Sequence, residues 1–168
     1  MDIVSRSVRS QMMRNIQGKN TEPELVVRSI AHALGLRFRL YDKKLPGTPD
    51  LVLRRHRTAI FVHGCFWHRH GCALTAVPKT RTEFWMAKFE ANQRRDARNR
   101  EELQALGWRV LEIWECETRR PAMVRVRLAE FFGLVAAVES LPTAGGSLPA
   151  TVEQCAPPLQ HKRRSRTP

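Results

Sequence analysis

Cys65, His70 and Cys72 lie within eight residues, in the pattern C-x4-H-x-C, and Cys116 follows after a further 43 residues. Three thiolates and one imidazole are the donor set of a closed tetrahedral zinc site, in which four protein ligands leave no position for water. The competing reading of such cysteines is that of small buried hydrophobes. The same stretch, FVHGCFWHRHGC (61–72), also holds His63 and His68, which a zinc site using His70 does not need, and the rings of Phe66 and Trp67. A spare histidine is either a surface or satisfied core residue, or a proton-transfer group, since imidazole changes charge between pH ~5 and ~8. Cys155 stands apart and reads as a bystander thiol.

The elements that must position these residues can be followed along the chain. SRSVRSQMMRNI (5–16) reads as a short basic helix with Val8, Met12, Met13 and Ile16 as its apolar positions. In TEPELVVRSIAHALG, Thr21 and Glu24 have the spacing of a capping box and Pro23 falls in the first turn. Leu25, Val26, Ile30, Ala33 and Leu34 recur at helical spacing, and Gly35 is the stop. RFRLY (37–41) alternates as a strand; PGTPDLVL is a turn and a short strand, and TAIFVHG is another strand. Residues 82–106 read as a helix with a charged, solvated middle, and Phe84 reads as one of its core residues. WRVLEIWE (108–115) is apolar nearly throughout, as for a strand covered on both faces. An amphipathic helix is expected over 121–138. Together these give an α/β fold with a mixed central sheet flanked by helices. The domain is expected to span residues 1–139, with 140–168 a flexible basic tail containing Pro, Gly and Ser.

Charge narrows the function. The chain of 168 residues has 29 Lys+Arg against 16 Asp+Glu, net +13. Residues 141–168 carry four basic residues and one acid, which leaves +10 on residues 1–140. A folded unit this basic suits a polyanion, because each neutralised phosphate releases counterions. The bland alternatives are a merely basic protein or a membrane-surface binder. With no run of 18 apolar residues and no apolar signal stretch at the start, a soluble cytoplasmic protein with reduced thiols is expected.

LPGTPDLVL (45–53) places Asp50 at the start of a strand, and the next strand begins about ten residues later. In PD-(D/E)xK nucleases this is the layout of the metal site, but Phe61 and His63 stand where the second acid and the lysine belong. Mg²⁺ accepts any hard oxygen, so the Val62 carbonyl could serve as a ligand while a histidine moves the proton. Taken with KTRTEFW (79–85) and LGWRVLEIWEC (106–116), these segments resemble the very short patch repair (Vsr) DNA mismatch endonucleases over roughly residues 7–120.

That resemblance implies a restriction-endonuclease-like fold and a nick in duplex DNA 5′ to the thymine of a T:G mismatch. Such mismatches arise from deamination of 5-methylcytosine, which links the family to a cytosine-5 DNA methyltransferase. By residue, it implies Asp50 and the Val62 carbonyl as ligands of catalytic Mg²⁺, two ions in the two-metal manner. It makes His68 the general base, His63 a supporting histidine and Glu24 an acid near the metal. Cys65, His70, Cys72 and Cys116 become the structural zinc ligands. Phe66, Trp67 and Trp85 become a wedge that enters the base stack, where an imperfect pair is cheapest to open. Met13 and Arg14 of the N-terminal helix approach the DNA from the other groove. The products would be 3′-hydroxyl and 5′-phosphate ends, made by a monomer in the bacterial cytoplasm at the nucleoid. Two rival readings remain: a restriction-like nuclease acting on unmismatched sites, and a non-enzymatic zinc protein that binds DNA, which leaves Asp50 and His68 without a role.

Overall fold

The computed structural model of the chain describes Val8, Gln11 and residues 18–134. Most of the expected helix over 5–16, with Met13 and Arg14, and the tail over 140–168 with Cys155 lie outside the described residues. The first long helix, α1 (Glu22–Ala33), starts at Thr21 with the expected capping box and Pro in its first turn. Glu24 Oε1 accepts the Thr21 backbone N–H at 3.3 Å and its hydroxyl at 2.9 Å. The buried face of α1 is rotated from the expected one: Glu24, Val27, Ala31 and Leu34 are buried, whereas Leu25 is 52% exposed. The hydrogen bonds that collect on the Glu24 carboxylate hold that face inward.

Four strands form one sheet in the order β1-β2-β3-β4: β1 (Arg39–Leu40), β2 (Leu51–Leu53), β3 (Thr58–His63) and β4 (Arg109–Trp114). β1–β2 and β2–β3 are antiparallel, and β3–β4 is parallel with Ile60 opposite Leu111 and His63 opposite Trp114. A parallel pair needs a long crossover. Here it contains a one-turn helix, α2 (Cys65–His68), and the 24-residue α3 (Thr82–Ala105). A second single turn, α4 (Glu115–Thr118), follows β4 and leads into α5 (Pro121–Phe132). The expected strand over 37–41 is thus reduced to two exposed residues. The last helix stops at Phe132 and not at 138, because Gly133 takes a left-handed conformation (φ 69°) that ends it.

One face of the sheet packs on α1 and α5 through Val27, Leu53, Ile60, Ile113 and Leu128, all fully buried. The other face is only partly covered. Ala59, Phe61 and Leu103 form a small cluster there, flanked by Trp108 and Val110. Towards the C-terminal ends of β3 and β4 that face turns polar, with His63 and Glu112. β4 is therefore not the doubly buried strand its apolar run suggests: Leu111 and Ile113 point into the core, while Val110, Glu112 and Trp114 are half-buried.

Candidate active site

The site assembles where β2 begins and β3 and β4 end. Asp50 immediately precedes β2, and its Oδ2 accepts the Val62 backbone N–H of β3 at 2.8 Å. Burial pushes the Asp50 carboxyl up to about 6, and the charge of Glu24 adds to this against the opposing Val62 hydrogen bond, Arg28 and His68. Glu24 enters from α1 and is 3% exposed. Its Oε2 accepts hydrogen bonds from the Tyr41 hydroxyl and the Arg28 guanidinium, each at 2.5 Å, and from the Asn20 backbone N–H at 3.1 Å. Two carboxylates close enough to sense each other's charge, one of them reluctant to ionise, offer hard oxygen donors of the kind a divalent cation takes.

His63 and His68 stack with ring centroids 4.1 Å apart. Burial, then the neighbouring His68, depress the His63 imidazole to about 3, so it is neutral at physiological pH. Its Nε2 lies 3.9 Å from Glu112 Oε1, a contact of a neutral ring and not an ion pair. Glu112 is instead bound by Arg100, at 3.0 Å from Nε and 2.5 Å from Nη2. His68 Nδ1 meets Asp96 Oδ2 of α3 at 2.5 Å. Burial works against charge on Asp96, but the hydrogen bond and charge of His68, with His63 and Arg95, outweigh it and hold the carboxyl below the usual range. A carboxylate on Nδ1 fixes the imidazole's orientation and leaves Nε2 as the atom able to take a proton. The rings of His63, His68 and Trp114 line a cleft of about 260 Å³ with Asp96, Arg100 and Glu112.

Sequence reasoning misses Asp96, Glu112, Arg100, Tyr41 and Arg28. Asp96 and Arg100 sit in the charged run RRDARNREE, which reads as solvated. The available signal is spacing: Phe89, Asn92, Asp96 and Arg100 recur every three or four residues and form one stripe of α3. Asn92 Nδ2 donates to the Trp67 carbonyl at 3.0 Å, Asp96 meets His68, and Arg100 meets Glu112.

Next to this pocket, ligand atoms of Cys65, His70, Cys72 and Cys116 all lie within 4.8 Å of one another. His70 Nε2 is 3.1 Å from Cys116 Sγ. Burial raises the Cys65 and Cys116 thiols, so ionisation of this set calls for a cation, and three sulfurs with one imidazole match zinc. His68 and His70 serve different clusters because Arg69 between them is left-handed, φ 58°, which reverses the chain after one helical turn.

Phe66, Trp67 and Trp85 form a half-buried ring cluster with centroids 5.0–5.9 Å apart. Phe89, 2% exposed, is its floor. Phe84 is 46% exposed under the Arg81 guanidinium, so the core role expected of it falls to Phe89.

Comparison with known proteins gives the chain's family. Residues 1–74 match the family model described as DNA mismatch endonuclease Vsr. The chain is 48% identical over 118 residues to the DNA mismatch endonuclease Vsr of Escherichia coli, covering 70% of this chain and 76% of that one. The chain belongs to the Vsr family. Two further Vsr relatives bear the name type II nicking enzyme. V.XorIIP of Xanthomonas oryzae pv. oryzae is 47% identical over 127 residues, 76% of this chain and 93% of its own. V.NmeAIP of Neisseria meningitidis is 42% identical over 127 residues, 76% and 91%. As a Vsr protein the chain is a DNA mismatch endonuclease, a hydrolase acting on DNA, and no helix among the described residues is long and apolar enough to cross a membrane.

Proposed function

We propose that the protein nicks one strand of duplex DNA 5′ to the thymine of a T:G mismatch left by deamination of 5-methylcytosine. It would act as a monomer at the nucleoid, downstream of a cytosine-5 methyltransferase. The observation that carries this is the one-turn helix α2. Within four residues it presents two rings of a half-exposed aromatic cluster and the carboxylate-oriented His68. Stacking of bases on such rings contributes ~1–3 kcal/mol each, against a few kcal/mol to open a step. A mispaired step opens most easily, so the rings favour it. The names of the Xanthomonas and Neisseria relatives support cleavage of a single strand.

Asp50 and the Val62 carbonyl would hold Mg²⁺, two ions in the full site, with Glu24 behind. When bound, Mg²⁺ supplies the positive charge that stabilises the pentavalent phosphate and the leaving oxygen. The chain's own residues do the rest. His68, turned by Asp96, takes the proton of the attacking water at Nε2, and neutral His63 supports its ring without competing for that proton. Cys65, His70, Cys72 and Cys116 would bind zinc, which clamps a segment that has little core of its own. The restriction-endonuclease-like domain is taken as residues 1–139, and the tail 140–168 as a weak non-specific DNA contact.

The test is a nicking assay on labelled duplexes that differ only in T:G against C:G, with Mg²⁺ or with EDTA, in several cytosine-methylation contexts. A Mg²⁺-dependent nick confined to the T:G duplex is expected. Equal cutting of both duplexes would overturn the mismatch reading in favour of a restriction-like enzyme, and binding without cutting would overturn catalysis.

A further inference from the structure

A second cleft, of about 350 Å³, opens on the β1 edge of the sheet, outside the catalytic pocket. Its rim carries Arg39, Lys43, Lys44 and Arg54, and Asp42 is its one acid. Asp42 is engaged within the protein. Its Oδ2 accepts from Arg54 at 2.7 Å and its Oδ1 from the Lys44 backbone N–H at 3.1 Å, so it fixes the turn and aims the guanidinium. Arg39, Lys43 and Lys44 line the open rim and make no ion pair within 4.0 Å among the described residues, although Asp42 senses the Lys44 charge. The floor is Tyr41, held at φ 51°, a conformation uncommon for a bulky side chain and one that persists where surroundings over-determine it. Lys19 stands over its ring at 4.9 Å.

Residues of this cleft connect to the carboxylates of the candidate active site. The Tyr41 hydroxyl that closes it donates to Glu24, and Leu40 pairs with Leu51, the residue after Asp50. From Asp50, the extended chain of β2 leads to Arg54 just past the strand's end, roughly 13 Å at ~3.3 Å per residue. One base-pair step rises about 3.4 Å, so Arg54 lies within about four steps of Asp50 along a duplex laid across it.

We infer that this edge cleft grips backbone phosphates of the substrate duplex on the side of the cut away from the aromatic cluster. The inference rests on the DNA-nicking reading and adds where the flanking duplex is held. These cations touch phosphate and no base edge, so they contribute register and affinity without sequence information. An alternative use for the same lysines is to keep a bare edge strand from pairing with other chains.

The experiment measures binding of the full-length zinc-loaded protein to T:G and C:G duplexes by fluorescence anisotropy. It is done without Mg²⁺, between roughly 50 and 200 mM salt. Lys43→Gln/Lys44→Gln should lower the slope of log K against log salt by about 0.9 for each phosphate no longer neutralised, near 2 in all. Affinity should weaken by the same factor for both duplexes, and Lys43→Arg/Lys44→Arg should retain the wild-type slope. Circular dichroism confirms that each variant is folded. An unchanged slope would overturn the inference, as would aggregation of the Gln variant with normal DNA binding, which assigns the lysines to edge protection. Weakening confined to the T:G duplex would also overturn it, because the cleft would then read the mismatch. Failure of the mismatch reading shows separately, as equal treatment of T:G and C:G by the wild type.

Discussion

At the scale of single residues, the proposed mechanism divides the work of the His68–Asp96 pair between an atom that moves a proton and a carboxylate that orients it. His68→Ala is expected to bind a T:G duplex yet cut it at least ~100-fold more slowly, the usual size of acid–base catalysis. Single-turnover rates at saturating protein check this, and normal cutting would remove His68 from the chemistry. Asp96→Asn keeps the shape of the pair but removes its charge, and should lower the rate by a smaller factor. The same carboxylate contributes to stability in a definite pH window. Its folded value lies below the usual 3.8, so its contribution is complete above that value and is lost as pH falls through the folded one. The stability gap between wild type and Asp96→Asn should therefore shrink as pH falls below ~4 in denaturant titrations.

At the scale of elements, the sheet is held from one side and leaves the other for chemistry. Leu128, fully buried between α5 and the sheet, should cost ~2–5 kcal/mol when cut back to Ala; urea melts read this directly. Nicking by that variant should persist at temperatures where it remains folded, since Leu128 lies in the core cluster on the α1/α5 side of the sheet. The Cys65–His70–Cys72–Cys116 cluster, proposed to bind zinc, makes the opposite prediction. Removing zinc from Cys65, His70, Cys72 and Cys116 with a chelator, then restoring Mg²⁺, should abolish nicking and alter the fluorescence of Trp67 and Trp85. Far-ultraviolet circular dichroism should retain most of its helix signal. Full activity of zinc-free protein would show that α2 needs no clamp.

The order of α1, β2, β3, α3 and β4 is legible in the sequence because each has its own period or cap. The Cys and His spacing likewise brings the two clusters into view. Less legible is anything set by rotation or by partners distant in sequence. The inward face of α1 depends on what binds Glu24, and Leu25 loses its place to it. Asp96 hides among arginines because a helix that turns a polar stripe towards a polar cleft has no apolar period to betray it. The same reasoning puts Phe84 in the core and passes over Phe89, since both aromatics suit a core and only the packing of Phe66 and Trp85 chooses between them.

At the scale of the whole molecule, the fold carries +10 over residues 1–140, with Arg39, Lys43, Lys44 and Arg54 at the β1-edge cleft and Lys88 over the Trp67 ring of the aromatic cluster. Removing residues 140–168 takes away net charge of +3 and no residue of either cluster. The truncated chain should keep its preference for T:G over C:G, with its overall affinity falling more at low salt than at high salt. Competitive binding of the two duplexes at two salt concentrations reads both quantities. A loss of preference would give the tail a part in recognition.

A single helical turn has no stability of its own, so α2 borrows its place: from Glu115, which accepts the Cys65 backbone N–H at 3.1 Å, and from Asn92 and Asp96 one turn apart on α3. This sets where the chain tolerates insertions. The segment 76–80 carries no such tether and should accept several extra residues with nicking retained. One residue inserted between Asn92 and Asp96 instead turns everything beyond it by about 100°. Trp67 and His68 then lose their common support at a stroke, so natural length variation in such chains belongs in the loop and not in the helix beside it.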